Sequence, residues 1–220
     1  MRKVLPFSIL FVLALGLNAQ ETAIRNVNII DVRTGKLMTG QGVIVSGDKI
    51  SWIGPDKRLR LVSGTRVVDG TGKYIMPGLI DSHIHFFQSG SLYTRPDAVT
   101  LTRVSYKEER ERGLKHATDY LTRYLRLGIT TVMDVGGPFS NFAIRDSISK
   151  NMISPNILVT GPLFSIVEAR ELELNDAPIV KVTSNAEAES LFTKMLPYLI
   201  LLRSGIYRGR IIQRKTPCLL

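Results

Sequence analysis

At Pro77–Gly78 the sequence changes its grammar, from short alternating stretches to strands that take turns with helical segments. Leu79 to Phe86 is a short apolar run carrying polar residues at alternate positions. From Tyr106 to about Leu127, Leu114, Ala117, Leu121, Tyr124 and Leu125 fall on one face of a helix, and Gly128 suits its C-terminal cap. Ile129 to Val135 is a β-branched strand ending in Gly136–Gly137–Pro138. Ile144 to Asn151 suits a short helix, and Asn156 to Thr160 another strand, closed by Gly161–Pro162. A longer loop is expected to run to Ala177. Ser184 and Glu187 then make a capping box ahead of Ala188, Leu191, Phe192 and Met195, which sit at helical spacing. Strands alternating with helices pack as parallel β/α units. About three such strands are present, where a closed β/α barrel has eight in about 250 residues. The predicted class is α/β, an incomplete TIM-type barrel.

The residues before this point read differently. Ile24, Val27, Ile29 and Val32 lead into the turn Thr34–Gly35–Lys36, and Gly42–Val45 and Ile50–Ile53 flank the turn 46–49 as a hairpin. Val67–Asp69 is followed by Gly70–Thr71–Gly72 and Lys73. Gly72–Lys73 invites comparison with a phosphate loop, but Val67 stands where that motif needs glycine and no helix follows. A β-turn is expected there. At the N-terminus, Arg2 and Lys3 precede an apolar run from Val4 to Leu17, with Ala19 beyond it. That is the layout of a cleavable secretory leader. The run is short for a membrane span, which needs about 20 apolar residues, and Pro6 interrupts it. Export to the periplasm or medium is expected, with no stable membrane anchor. An uncleaved, anchored form is the weaker alternative.

A net charge of +10 raises the question of nucleic acid. Its distribution answers in the negative. No acidic residue follows Glu189, whereas Lys194, Arg203, Arg208, Arg210, Arg214 and Lys215 do, so much of the excess belongs to a tail rather than to a basic face. Cys218 is the one cysteine, which rules out an internal disulfide and any Cys-rich metal motif.

Chemistry concentrates in Pro77-Gly78-Leu79-Ile80-Asp81-Ser82-His83-Ile84-His85. Residues at i and i+2 of a strand share a face, so Asp81, His83 and His85 are expected on one side and Ile80, Ser82 and Ile84 on the other. Two imidazoles so placed suit zinc or a similar divalent ion. Two surface histidines would also explain the pattern alone, yet this pair is two of only three histidines in the chain. If the strand opens a β/α barrel, the pair lies near its C-terminal end, where active sites of that fold are built. The third, His116, is expected to be a solvated helix residue.

These residues resemble the amidohydrolase superfamily, above all its imidazolonepropionase-like and Xaa-Pro dipeptidase-like branch. Gly128 to Gly137 is similar to that branch's second barrel strand, and the resemblance covers about Ala23 to Tyr198. It implies a small β-sandwich beside a barrel that holds one or two divalent metals, most often zinc. His83 and His85 match the family's His-x-His ligands. Metal-activated water would hydrolyse a C–N bond of a small-molecule, dipeptide-like or cyclic-amide substrate, and a homo-oligomer is compatible with the intact fold. The lysine or glutamate, the further histidines and the aspartate base that such enzymes carry on later strands have no counterpart here, so no catalytic base is assigned.

After Tyr198 the text loses its pattern. The expected organisation is a leader (1–20), part of a β-sandwich (21–76), the first part of a barrel (77–198) and an aberrant basic tail (199–220), with a frameshift as the expected origin of the tail. On this reading the chain is a truncated hydrolase, inactive by itself. The alternative is a non-catalytic fragment that assembles with a partner chain.

Overall fold

The computed structural model describes residues 21–86, 88–90, 92–95, 103–148 and 154–199. The expected leader, Cys218 and all of the expected tail beyond Leu199 lie outside the described residues. None of the described helices is long and apolar enough to cross a membrane. The chain divides into two compact units between Pro77 and Gly78.

The first unit is a five-stranded sheet of β1 (Glu21–Asp31), β2 (Lys36–Ser46), β3 (Lys49–Pro55), β4 (Arg66–Asp69) and β5 (Tyr74–Ile75). β1, β2 and β3 form an antiparallel meander, while β4 and β5 run parallel to β1 along its other side. The hairpin closes where Ser46 faces Lys49, around Gly47 with its positive φ. Ala23, Ile44 and Leu59 are buried in one cluster, and Val27, Ile29 and Val43 in another. Ile50, Ile53 and Val67 remain exposed, so what is described is one layer of the expected sandwich. Register slips on β1 between Ile24 and Val27, where Asn26 takes a left-handed φ of 51°. Asparagine tolerates that conformation. Asp56 fixes the slip: its carboxylate accepts from Asn26 N at 3.2 Å and pairs with Arg25 through Nε at 3.1 Å and Nη2 at 2.7 Å.

The second unit holds β6 (Leu79–Ile84), α1 (Tyr106–Lys115), α2 (Ala117–Arg126), β7 (Ile129–Asp134), α3 (Ser140–Ile148), β8 (Asn156–Val159), β9 (Leu163–Ser165), β10 (Ile179–Lys181) and α4 (Asn185–Met195). β6, β7 and β8 form a parallel sheet in chain order, as strand–helix alternation requires. Val132, Ile157 and Val159 of the sheet bury Leu121 of α2 and Phe142 of α3, with Ile84 packed alongside. Burying each such side chain favours folding by roughly 1.5–3 kcal/mol before entropy is counted. This is the start of a β/α architecture; a closed barrel is not seen among the described residues.

Several local details differ from expectation, among them α3, which begins at Ser140 and not at Ile144. The helix read from Tyr106 to Leu127 is two helices, parted at His116 with φ −104° and ψ 10°. Ser105 and Glu108 make the full capping box, at α1. At α4, Ser184 Oγ accepts from Glu187 N, but the Glu187 carboxylate reaches Thr183 instead of the Ser184 amide. The stretch read as loop contains β9, which pairs in parallel with β10 just beyond it. Its far end carries Asp176, whose carboxylate accepts from the amides of Phe139 at 2.8 Å and Ser140 at 3.0 Å. Buried Arg110 of α1 completes this cluster, reaching Asp176 Oδ2 at 3.3 Å and Ser140 Oγ at 3.1 Å.

Candidate metal centre

The first strand of the second unit begins with a close approach. A Cβ on Gly78 would collide with Oγ1 and Cγ2 of Thr130 on β7, so glycine here lets the two strands come together. Further along, Asp81 pairs with Val132 and Ile84 with Asp134. Three steps on β6 are thus matched by two on β7, a bulge at Ser82–His83. Asp81 Oδ1 accepts from His83 N at 3.2 Å across it.

The bulge corrects the expected sidedness. Directly paired residues of neighbouring strands project to the same side, and Val132 projects into the core beneath α2 and α3. Asp81 therefore lies on the helix side with Val132, and its charge helps burial to raise the Tyr124 hydroxyl of α2 above the usual tyrosine range. His83 and His85 do share a face. Their ring centroids are 5.1 Å apart and the rings stand edge to face at 83°.

His85 is further fixed by its Nδ1, 2.9 Å from the Gly136 carbonyl just beyond β7. A carbonyl can only accept, so Nδ1 carries the hydrogen and the neutral ring keeps its lone pair on Nε2. This is how metal-binding histidines are commonly held. Among the described residues, no group of three or more His, Cys, Asp or Glu side chains is arranged to hold a metal ion. The donor chemistry fits a divalent cation, with the two imidazoles as part of a set; a zinc site takes three protein ligands and water.

Asp134 ends β7 and is fully buried. Asn141 Nδ2 of α3 donates to its Oδ2 at 2.7 Å, while its Oδ1 has no hydrogen-bond partner among the described residues. Burial pushes this carboxyl up to about 6; the Asn141 bond, the amide dipoles of Phe86 and Gly136 and the nearby His85 pull in the opposite direction. Sequence reasoning passed over Asp134 and Asn141. A visible signal existed, since a polar residue at the C-terminal end of a barrel strand, followed by two glycines, is where function gathers. His116 is where α1 meets α2, half-exposed, with Nδ1 3.3 Å from Asp119 Oδ2.

Two clefts flank the sheet. One of about 490 Å³ is lined by Asp81, His83 and His85 of the β6 segment and by Leu121 and Tyr124 of α2. The other, about 480 Å³ and almost wholly apolar, follows β8 between Leu158, Phe192, Met195 and Leu199.

Residues 74–197 match the sequence model of the amidohydrolase family. Adenine deaminase 3 of Rhizobium meliloti is 32% identical over 72 residues, covering 33% of this chain and 12% of that protein. The adenine deaminase of Cenarchaeum symbiosum is 36% identical over 75 residues, 34% of this chain and 12% of the relative. Among solved structures, A. niger ochratoxinase superposes with a TM-score of 0.62 at 17% identity, over 82% of this chain and 45% of its own. A Xaa-Pro dipeptidase with methionine bound in its active site gives a TM-score of 0.60 at 20% identity, over 81% of this chain and 45% of the dipeptidase. The chain thus spans about an eighth of these deaminases and under half of these two structures, and the structural likenesses speak for the fold.

Proposed function

This chain belongs to the amidohydrolase family, and we propose that it carries two metal ligands, His83 and His85, of a hydrolase that cleaves a carbon–nitrogen bond. The observation that supports this most directly is the pair of imidazoles held 5.1 Å apart at the end of the first parallel strand, one of them oriented by the Gly136 carbonyl. The ion such ligands hold, zinc being the first candidate, supplies Lewis-acid activation of water and of the scissile carbonyl. The chain's own residues prepare for it. Gly78 brings β6 against β7, the bulge at Ser82–His83 turns Asp81 toward the helices, and Gly136 fixes the tautomer of His85.

The substrate class is a small molecule with a C–N bond. A dipeptide-like or cyclic amide is proposed on the resemblance carried by Pro77–His85 and Gly128–Gly137; the adenine deaminase relatives, matched over about a third of this chain, make a nucleobase the competing substrate. Export is proposed on the charge and apolar pattern of residues 2–17; N-terminal sequencing of the protein outside the cytoplasm tests it.

A second reading, assembly with a partner chain, draws on the sides of β6 and β8 that have no strand beside them among the described residues. Both readings are tested by purifying the full chain, titrating it with cobalt(II) and zinc, and measuring its mass in solution. A cobalt spectrum that disappears in His83→Ala and in His85→Ala supports the metal centre. Binding indifferent to both substitutions rejects it, and a metal-free chain that captures a complementary barrel half supports the second reading.

A further inference from the structure

The buried pair Asp134–Asn141 has no part in binding metal as described above, yet it adjoins the backbone that does. Asp134 ends β7, one residue after Met133 and two before Gly136, whose carbonyl receives His85 Nδ1–H. Val135 N bonds Ile84 O at 3.1 Å, so residues flanking Asp134 and His85 are also joined main chain to main chain. On the other side, Thr160 N bonds Asp134 O at 3.0 Å and Gly137 N bonds Gly161 O at 3.1 Å. The segment 134–137 is thus stitched between β6 and the end of β8. Asn141 of α3 adds a side-chain tie at 2.7 Å, and Gly137 lies so close to the Asn141 amide that a Cβ there would collide with it.

A fully buried carboxylate, with one oxygen unpartnered among the described residues, is costly for a fold to keep. An apolar residue would fill the same space between Ile84 and Val159 without that cost. The carboxylate stands two residues before Gly136, which accepts the His85 hydrogen, and the main-chain bonds of Asp134 and Val135 tie this turn to β8 and β6. We propose that Asp134, clamped by Asn141, is a positioning residue that holds the 134–137 backbone so that His85 is kept as its Nδ1–H tautomer, with Nε2 presented to the cation. Asp134 touches neither cation nor substrate in this scheme. It acts through the Gly136 carbonyl, and the inference rests on the reading of His85 as a ligand.

The test reads the tautomer itself and needs no metal. The full chain is labelled with nitrogen-15 at histidine, and the imidazole nitrogens are recorded by NMR at a fixed pH of about 8, above the usual histidine range. The three histidines are assigned by single His→Gln variants. In the wild-type chain His85 is expected as one species, protonated at Nδ1. Asp134→Ala converts this signal to a mixture of tautomers, as does Asn141→Ala. Asp134→Asn, which keeps an oxygen acceptor of the same size, retains the single species. His116, beside Asp119 on exposed helix, does not change in any variant. A wild-type His85 protonated at Nε2 overturns the proposal. So does an Asp134→Ala chain that keeps its folded spectrum and an unchanged His85; if that variant does not fold, an unchanged His85 in Asn141→Ala overturns it equally. Failure of zinc to bind wild type while the tautomer responds as described would sink the metal reading and leave the positioning relationship standing.

Discussion

Asn141 donates its side-chain amide to Asp134 at 2.7 Å, joining the end of a strand to the helix that follows it in a place water does not reach. The bond only partly offsets the burial of the carboxylate, whose folded value is pushed up to about 6. In an unfolded chain aspartate titrates near 3.9. Between these values the folded state holds a proton that the unfolded state has released, so this group lowers stability as pH rises from about 4 to about 6, and the penalty is constant above. Asp134→Asn should therefore be more stable than wild type at pH 7 by up to roughly 3 kcal/mol. Urea denaturation of both proteins at pH 7 and pH 4 checks this; an advantage that persists undiminished at pH 4 contradicts it.

The Arg25–Asp56 pair has the opposite sign. The Arg25 hydrogen bond holds the Asp56 carboxyl below the usual range, with burial opposing and the Asn26 amide assisting. A depressed folded value contributes stability that is complete above the unfolded range and is lost as pH falls through the folded value. Asp56→Asn should lower the denaturation midpoint of the first unit at pH 7, and the gap should close as pH is lowered toward 3. The fluorescence of Trp52, which packs beside Leu59 in this unit, reports the transition.

Gly78→Ala should destabilise the second unit by about 1–3 kcal/mol, the usual cost of forcing a methyl into occupied space, because the neighbour is the stiff branched side chain of Thr130. Thr130→Ala in the same chain should recover part of the loss. Chemical denaturation of the two single variants and the double variant gives the coupling; additive losses would show that the contact is not the cause.

Ser105→Ala removes one half of the reciprocal cap with Glu108 and should cost about 1 kcal/mol. Ser105→Asp should restore most of it, since a carboxylate also accepts from the N3 amide and suits the helix N-terminus. Thermal unfolding followed by circular dichroism reads both.

Periodicity carried the reading of the second unit a long way. Leu121 and Val132 met in the core because one lay on a helical stripe and the other in a β-branched run. The placement of His83 and His85 on one face followed from a period of two. Asp81 did not obey that period, because a single extra residue in β6 reverses the side from which it projects, and nothing in the residue types at Ser82–His83 announces a bulge. The break at His116 was equally silent, since His, Ala and Lys all tolerate helix. Asp176 was hidden for a third reason. Its partners are the start of α3 and the middle of α1, contacts 36 and 66 residues away along the chain, and no local pattern encodes distances of that size.

That same Asp176 has a bearing on how the molecule can vary. One carboxylate serves the opening amides of α3 and the guanidinium of α1, so the segments that follow β6, β7 and β8 share a single anchor. Lengthening or shortening the stretch between Leu172 and Asp176 would be felt in all three at once. Diversification among relatives of this architecture should accordingly spare the spacing that delivers Asp176 and fall on the exposed tip at Ile166–Val167.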